Sequence, residues 1–114
     1  KMKTSSAKAK GRKLQQWVRD KLIDVLDIHP EDIESTSMGA GGEDVTMARV
    51  AREKFPYSIE CKNQERVNVW SAYDQASGNS NNYEPLVVIK KNRTKALVLL
   101  DAEYFINVHK DKDV

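Results

Sequence analysis

The chain has 114 residues, of which 39% are hydrophobic and 32% are charged, and its formal net charge is +2. This length suits one domain with its own core, and the composition is typical of globular proteins rather than disordered ones. A single cysteine excludes an internal disulfide framework and a cysteine-based zinc cluster. No apolar run reaches the roughly 18 residues of a membrane span, so we expect a cytoplasmic protein with no membrane partner.

Positive charge is concentrated at the start of the chain, where residues 1–10 form a predicted basic arm ahead of a single domain over residues 11–114. The basic residues that precede the first acidic one, Asp20, are Lys1, Lys3, Lys8, Lys10, Arg12, Lys13 and Arg19. Such a segment favours a polyanionic partner, because binding releases counterions from phosphates. A solubilising terminus without a partner has the same composition, so charge alone leaves both interpretations open.

The spacing of apolar residues predicts a first helix of about four turns, with an inward stripe formed by Leu14, Trp17, Val18, Leu22, Val25 and Leu26. This helix should end near Asp27, because the residue before Pro30 is biased away from helical geometry. Three strands are then predicted in "DIESTS" (32–37), "EDVTMARVA" (43–51) and "PYSIECK" (56–62). A turn over 38–42 and a loop over 52–56 connect them.

The second half begins with a helix in "NVWSAYDQASG", for which Asn68 is the predicted N-cap and Gly78 the C-terminal stop. The apolar runs "LVVIK" (86–90) and "ALVLL" (96–100) predict buried central strands, and Asp101 caps a short last helix. Trp17 and Trp70 lie on apolar faces and are predicted core residues. The elements predict an α/β fold, a mixed five-stranded sheet flanked by helices in the order α-β-β-β-α-β-β-α.

In "YSIECK" (57–62) the alternation of a strand places Glu60 and Lys62 on one face and Cys61 on the other. On their own, Glu60 and Lys62 fit a weak surface ion pair on an edge strand. Asp44 favours another interpretation, since it starts the preceding strand and approaches Glu60 if the two strands pair. Two adjacent carboxylates repel, and a divalent cation such as Mg²⁺ relieves that repulsion. The pattern therefore predicts a metal site beside Lys62 that suits phosphodiester hydrolysis.

The sequence resembles the PD-(D/E)xK nuclease superfamily in the order of Asp44 and Glu60-Cys61-Lys62 on strands between two helices. Within that superfamily it is most like the archaeal-type Holliday junction resolvases and their phage relatives. The resemblance covers roughly residues 10–100. "KGRKLQQW" resembles the opening helix of the family, and "STSMGAGGEDV" resembles the Ser/Gly-rich lead into the metal-binding aspartate. "YSIECKNQERVNVWSAYDQA" resembles the catalytic strand and the next helix, which carries a glutamine, here Gln75. The resemblance implies a restriction-endonuclease-like core.

The resemblance also implies a site in which Asp44, Glu60 and the backbone carbonyl of Cys61 bind Mg²⁺, with Mn²⁺ as a substitute, and Lys62 is the catalytic lysine. Gln15, four residues after Gly11, stands where the family has a glutamate. A glutamine supplies an oxygen ligand but no charge, so we expect it to contribute to catalysis through a weaker second metal. The alternatives are that Glu43 supplies the missing charge or that activity is reduced.

By the same resemblance the chain is expected to be a metal-dependent DNA endonuclease, a structure-selective Holliday junction resolvase that acts as a homodimer on branched DNA in a phage or prokaryotic host cell. The candidate DNA-binding residues are Lys10, Arg12, Lys13, Asn63, Gln64, Arg66 and Gln75. One alternative is a restriction-like or nicking nuclease on duplex or flap DNA. The other is a nucleic-acid-binding module that keeps the nuclease fold with little catalysis.

Overall fold

A computed structural model describes residues 4–36 and 41–110 of the chain. The elements are α1 (Thr4–Leu26), β1 (Ile33–Ser35), β2 (Val45–Met47), α2 (Arg49–Lys54), β3 (Tyr57–Asn63), α3 (Val69–Asn79), β4 (Glu84–Lys90), β5 (Leu97–Leu99) and α4 (Ala102–Val108). A 3-10 turn at Pro30–Asp32 precedes β1. Most of the predicted turn over 38–42 lies outside the described residues.

The five strands form one mixed sheet in the order β1-β2-β3-β4-β5, which confirms the predicted α/β fold with a five-stranded sheet. Neighbouring strands pair antiparallel except β3 and β4, which pair in parallel over their full length. A parallel pair needs a crossover connection, and α3 supplies it. In this order β3, the strand that carries Glu60, is the central one.

Helices α1 and α3 cover opposite faces of the sheet and create two apolar layers. The larger layer joins α1 to the sheet through Leu14, Val18, Leu22, Ile33, Val45, Ile59, Cys61, Leu86 and Val88. The smaller layer joins α3 to β4 through Ala72, Ala76 and Val87. Because β3 is buried under both helices, any charged side chain in its middle is held away from water.

The prediction of a single strand over residues 43–51 followed by a loop over 52–56 is wrong. Strand β2 covers only Val45–Met47, and Arg49–Lys54 form α2. The sequence of α2, "RVAREK", contains alanine and long charged side chains, which favour helix more than the valine favours strand. Ala51 is buried against the core, and Arg52 donates from Nε to Met47 O at 3.0 Å.

The prediction that "ALVLL" is a buried central strand is wrong. Strand β5 pairs only with β4 and forms an edge of the sheet, where Leu97 is 54% and Val98 is 56% exposed. A continuous apolar run shows only that a segment contains no charged side chains. It does not distinguish a central strand from an edge strand whose outer side is covered by another surface.

The prediction that both tryptophans are core residues is also wrong. Trp17 is 49% exposed and Trp70 is 80% exposed. The buried stripe of α1 follows Leu14, Val18 and Leu22, so Trp17 lies about 100° around the helix from its neighbour Val18. In α3 the buried residues are Ala72 and Ala76, and Trp70 lies roughly 200° away from the first of them.

The helix ends follow the predicted signals in most cases. Helix α1 ends at Leu26, before Asp27, and the side chains of Asn68 and Asp101 accept the capping hydrogen bonds of α3 and α4. Residues 4–10 of the predicted basic arm belong to α1, and Gly78 lies inside α3 rather than after it. Within residues 4–36 and 41–110, no helix has the length and apolar character needed to cross a bilayer.

Candidate active site

Asp44 lies beside Glu60 because β2 and β3 pair antiparallel with Val45 opposite Ile59. The backbone fixes this arrangement at two points: Asp44 N–H donates to Ile59 O at 3.0 Å, and Cys61 N–H donates to Asp44 Oδ2 at 2.8 Å. The predicted approach of the two carboxylates is confirmed. It places them at the start of β2, on the face of the sheet that α3 covers.

Glu60 is buried and Asp44 is half-buried, and this burial changes the proton affinity of both groups. Glu60 is only 2% exposed, and its Oε1 has no hydrogen-bond donor among the described residues. Burial, and then the charge of Asp44, raise the pKa of Glu60 from 4.5 to about 7. Burial also raises the pKa of Asp44, against the opposing effect of the Cys61 N–H. The fold therefore holds two carboxyl groups where ionising both is unfavourable without a cation.

Lys62 lies on the same face as Glu60, as the strand alternation predicts. Its Nζ is 3.5 Å from Glu60 Oε2 and donates to Gln75 Oε1 at 2.8 Å. Gln75 belongs to α3, so this hydrogen bond ties the lysine to the helix that covers the site. The Lys62 side chain is partly exposed, whereas Glu60 is buried, so the ammonium lies between the carboxylates and solvent. One lysine for two carboxylates leaves the site with an excess of negative charge.

Gln15 enters from α1 and is almost fully buried. Its Oε1 accepts a hydrogen bond from Ser35 Oγ at 2.9 Å, and Ser35 pairs with Val45, the residue after Asp44. Because Val45 belongs to the layer under α1, this contact holds the amide on the α1 face of the sheet, whereas Asp44 and Glu60 lie on the α3 face.

Glu43 forms an ion pair with Arg52, and this pairing disfavours the alternative that Glu43 supplies the charge missing at Gln15. Arg52 donates to both of its carboxylate oxygens, from Nη2 to Oε1 at 2.6 Å and from Nη1 to Oε2 at 3.1 Å. The Arg52 guanidinium also lies 4.4 Å from the ring centroid of Tyr83. No local spacing signals this ion pair, because α2 brings Arg52 to Glu43 only through the tertiary fold.

The thiol of Cys61 is buried on the α1 face, opposite Glu60. Burial, followed by the charges of Asp44 and Glu60, raises the pKa of Cys61 well above its usual value. The thiol therefore stays protonated and is a poor nucleophile or metal ligand at neutral pH. The proposed ligand at this position is the backbone carbonyl, and that assignment stays a prediction.

The predicted DNA-binding residues divide into two groups. Lys10 and Asn63 are partly buried at the junction of α1 and β3, where Asn63 Nδ2 donates to Lys10 O at 3.0 Å and Lys10 Nζ lies 3.8 Å from Glu65 Oε2. The remaining residues are exposed: Arg12, Lys13, Gln64, Arg66 and Gln75. Sequence reasoning missed Trp17 as a surface residue, since its spacing also fits the core stripe.

No protein-family model, no curated protein and no solved structure matches the chain. The function proposed for the site is therefore argued from its geometry.

Proposed function

We propose that the protein is a magnesium-dependent DNA endonuclease with a restriction-endonuclease-like core. The observation that supports this most is the close pair of half-buried Asp44 and buried Glu60 with Lys62 beside it. In a purely structural role two facing carboxylates would lower the stability of the fold, because each raises the free energy of ionising the other. A divalent cation bound between them offsets this repulsion, so the arrangement fits a metal site.

The donor atoms fit Mg²⁺. Within the described residues, no cluster of three or more His, Cys, Asp or Glu side chains converges, so the side-chain ligands here are two carboxylates. Magnesium prefers oxygen and keeps several waters, and it is commonly bound by one or two carboxylates together with phosphate oxygens. The Asp44 and Glu60 oxygens, with the Cys61 carbonyl, would hold it. Glu60 Oε1, buried with no donor among the described residues, is an acceptor that a cation would satisfy.

The protein's own groups would then divide the work of cleavage. A bound Mg²⁺ lowers the pKa of a coordinated water and offsets charge on the phosphate. Lys62 presents its ammonium at the mouth of the site, where it stabilises negative charge that develops on the scissile phosphate. Gln75 holds that ammonium in place through its 2.8 Å hydrogen bond. Cys61 N–H fixes the Asp44 carboxylate at 2.8 Å, so the ligand is oriented before metal binds.

We further propose that the enzyme acts on branched DNA inside the cell as a homodimer, since a resolvase must cut two strands. The exposed apolar residues of β5 and α4 supply a surface for that contact: Leu97, Val98, Phe105 and Ile106. Tyr104 anchors α4 to the start of β3 through a 3.0 Å hydrogen bond to the Tyr57 hydroxyl, which leaves the other side of α4 outward. Sedimentation of the wild type and of Ile106→Lys measures whether this face forms the dimer.

The deciding experiment compares cleavage of a four-way junction and of a matched linear duplex, each with Mg²⁺ and with EDTA. We expect cleavage of the junction with Mg²⁺ only. Asp44→Asn and Glu60→Gln should each lower the rate by at least about 10³-fold, while DNA binding stays equal or tightens because negative charge is removed. Asp24→Asn and Glu53→Gln remove exposed carboxylates and serve as matched controls.

The outcomes separate the candidates. Equal cutting of junction and duplex would favour a restriction-like or nicking nuclease. Binding without any cutting would support a nucleic-acid-binding module, the interpretation that Gln15 favours because it lacks the charge of a glutamate. Wild-type cleavage by Asp44→Asn would contradict the metal assignment.

A further inference from the structure

A groove separate from the carboxylate pair runs between α1 and the turn that links β4 to β5. Its volume is about 570 Å³, which is within the usual size range of small-molecule sites. We call it the basic groove and define it by Lys13, Trp17, Asn63, Lys90 and Lys95, which line it together with Thr94. Its position at the C-terminal end of β3 places it near the start of the polar segment 64–66.

The charge of the basic groove is one-sided. Three lysines line it, and no aspartate or glutamate of the described residues does. The neighbouring cavity on the other side of the same turn shares Lys90, Thr94 and Lys95 with the groove and includes Glu65. Three lysines along one concave surface favour a ligand with more than one negative charge.

An aromatic surface lies beside these lysines. Trp17 is 49% exposed on α1, although Leu14, Val18 and Leu22 of the same helix are buried. Lys21 Nζ lies 5.9 Å from the ring centroid of Trp17, so one cation is already close to the indole. An exposed indole flanked by cations is the combination that binds single-stranded nucleic acid, where bases stack on the ring and phosphates meet the charges.

We propose that the basic groove binds an unpaired segment of the DNA strand, with a base stacked on Trp17 and phosphates beside Lys13, Lys90 and Lys95. The choice of DNA as the polyanion rests on the proposed function. The segment must be unpaired, because the faces of bases inside a duplex are covered by their neighbours and cannot stack on a side chain. A branch point or flap supplies such a segment.

The position of the groove relative to the carboxylates constrains the path of the strand. Asn63 contacts α1 and therefore faces the α1 side of the sheet, whereas Lys62 contacts α3 on the other side. A strand that reaches both must pass around the end of β3, about 10 Å beyond Glu60, and must also cross from one face of the sheet to the other, so at least about three nucleotides of a stacked strand separate the two contacts. Gln64 and Arg66, both exposed, lie along that path.

Binding measured in EDTA tests the proposal without cleavage. Fluorescence anisotropy would follow a labelled single-stranded oligonucleotide and a blunt hairpin duplex of the same sequence. Trp17→Ala should weaken single-strand binding by roughly fivefold to 150-fold and change duplex binding much less. Lys95→Ala should lower the slope of log affinity against log salt by about 0.7 for each phosphate that the protein no longer neutralises. Trp70→Ala and Lys110→Ala, exposed residues outside the groove, should change neither quantity.

Intrinsic fluorescence gives a second readout that does not depend on removing the indole. In Trp70→Phe protein Trp17 is the sole tryptophan, and single-stranded DNA should quench it, whereas in Trp17→Phe protein Trp70 should stay unquenched. Equal quenching of both tryptophans, or single-strand binding by Trp17→Ala at wild-type affinity, would overturn the proposal. So would equal quenching by polyglutamate, or tighter binding of an RNA oligonucleotide with the same sequence.

The two proposals fail in different ways. If the wild type cuts no DNA but Trp17 is quenched by single strands, the nuclease assignment fails and the groove assignment stands. If Mg²⁺-dependent cleavage occurs while Trp17→Ala and Lys95→Ala bind single strands normally, the groove assignment fails and the nuclease assignment stands.

Discussion

Glu43 and Asp44 are neighbours in the chain, yet the fold gives them opposite partners. Glu43 is buried against Arg52, which donates to both of its oxygens and neutralises its charge. Asp44 is directed at a second carboxylate, Glu60, and the cation beside that pair is Lys62, 3.5 Å from Glu60. The same side-chain chemistry therefore produces a closed ion pair at one residue and an excess of negative charge at the next.

This difference separates structural charge from functional charge. A buried ion pair whose hydrogen bonds are complete holds α2 against the sheet and has no capacity for a further ligand. A close carboxylate pair with raised pKa values has unused capacity for a cation, and such pKa shifts are common at functional sites. Substitutions at both places, together with changes of pH and of metal, test this contrast.

Arg52→Ala should cause the largest loss of stability, because it leaves Glu43 buried without its counter-ion. We expect the free energy of unfolding to fall by about 3–5 kcal/mol, measured by urea denaturation. Arg49→Ala, at an exposed position of the same helix, is the matched control. The double variant Glu43→Leu/Arg52→Met should regain most of the loss, since it buries no charge. A loss below about 1 kcal/mol in Arg52→Ala would show that the pair is not structural.

The metal-free protein should become less stable as pH rises from about 4.5 to 7. The fold raises the pKa of Glu60 from 4.5 to about 7, so folding favours the protonated form; its contribution is complete below pH 4.5 and is lost as pH rises through 7. The loss should reach about 3 kcal/mol, measured by denaturation in EDTA at a series of pH values. Glu60→Gln should lack this component and should exceed the wild type in stability at pH 8. If the free energy of unfolding changed with pH in the same way in both proteins, the raised pKa of Glu60 would be contradicted.

Mg²⁺ should reverse that loss of stability only when both Asp44 and Glu60 are present. At a concentration of 100 times its Kd, a ligand specific to the folded state adds about 2.7 kcal/mol to stability. Thermal unfolding at pH 8 with and without Mg²⁺ measures this effect, and Mn²⁺ should act in the same way. Asp44→Asn should show little stabilisation, while Asp24→Asn should behave as the wild type. Equal stabilisation of Asp44→Asn would place the metal elsewhere.

Gln15→Glu should have the smallest effect, because Ser35 holds the Gln15 amide on the α1 face of the sheet while the carboxylate pair lies on the α3 face. By the family resemblance this position contributes a metal ligand, and a third carboxylate that reached the metal would tighten Mg²⁺ binding about tenfold, or roughly 1.4 kcal/mol, measured by calorimetry. Gln16→Glu adds the same charge at an exposed neighbouring position and should leave the affinity unchanged. If both substitutions had the same effect, Gln15 would lie outside the reach of the metal.

Much of the fold was predictable from local signals. The pairing of Asp44 with Glu60 followed from strand alternation and from two strands close in sequence, and the caps Asn68 and Asp101 followed from residue type. The wrong predictions concern burial, which depends on the residues that pack around a segment in the folded protein. Leu97 and Val98 have the sequence of a central strand but lie at an edge, and Trp17 has the spacing of a core residue but lines a groove.

Local sequence was enough to set most of the helices and strands and to set which side chains of β3 share a face, because both depend on contacts a few residues apart. The packed fold was needed to pair Glu43 with Arg52, to bury Asp44 and Glu60 until their pKa values rise, and to bring Lys62 to Gln75. Burial and long-range pairing depend on how elements distant in the chain pack together. That packing turned an ordinary Glu-Cys-Lys strand into a candidate active site.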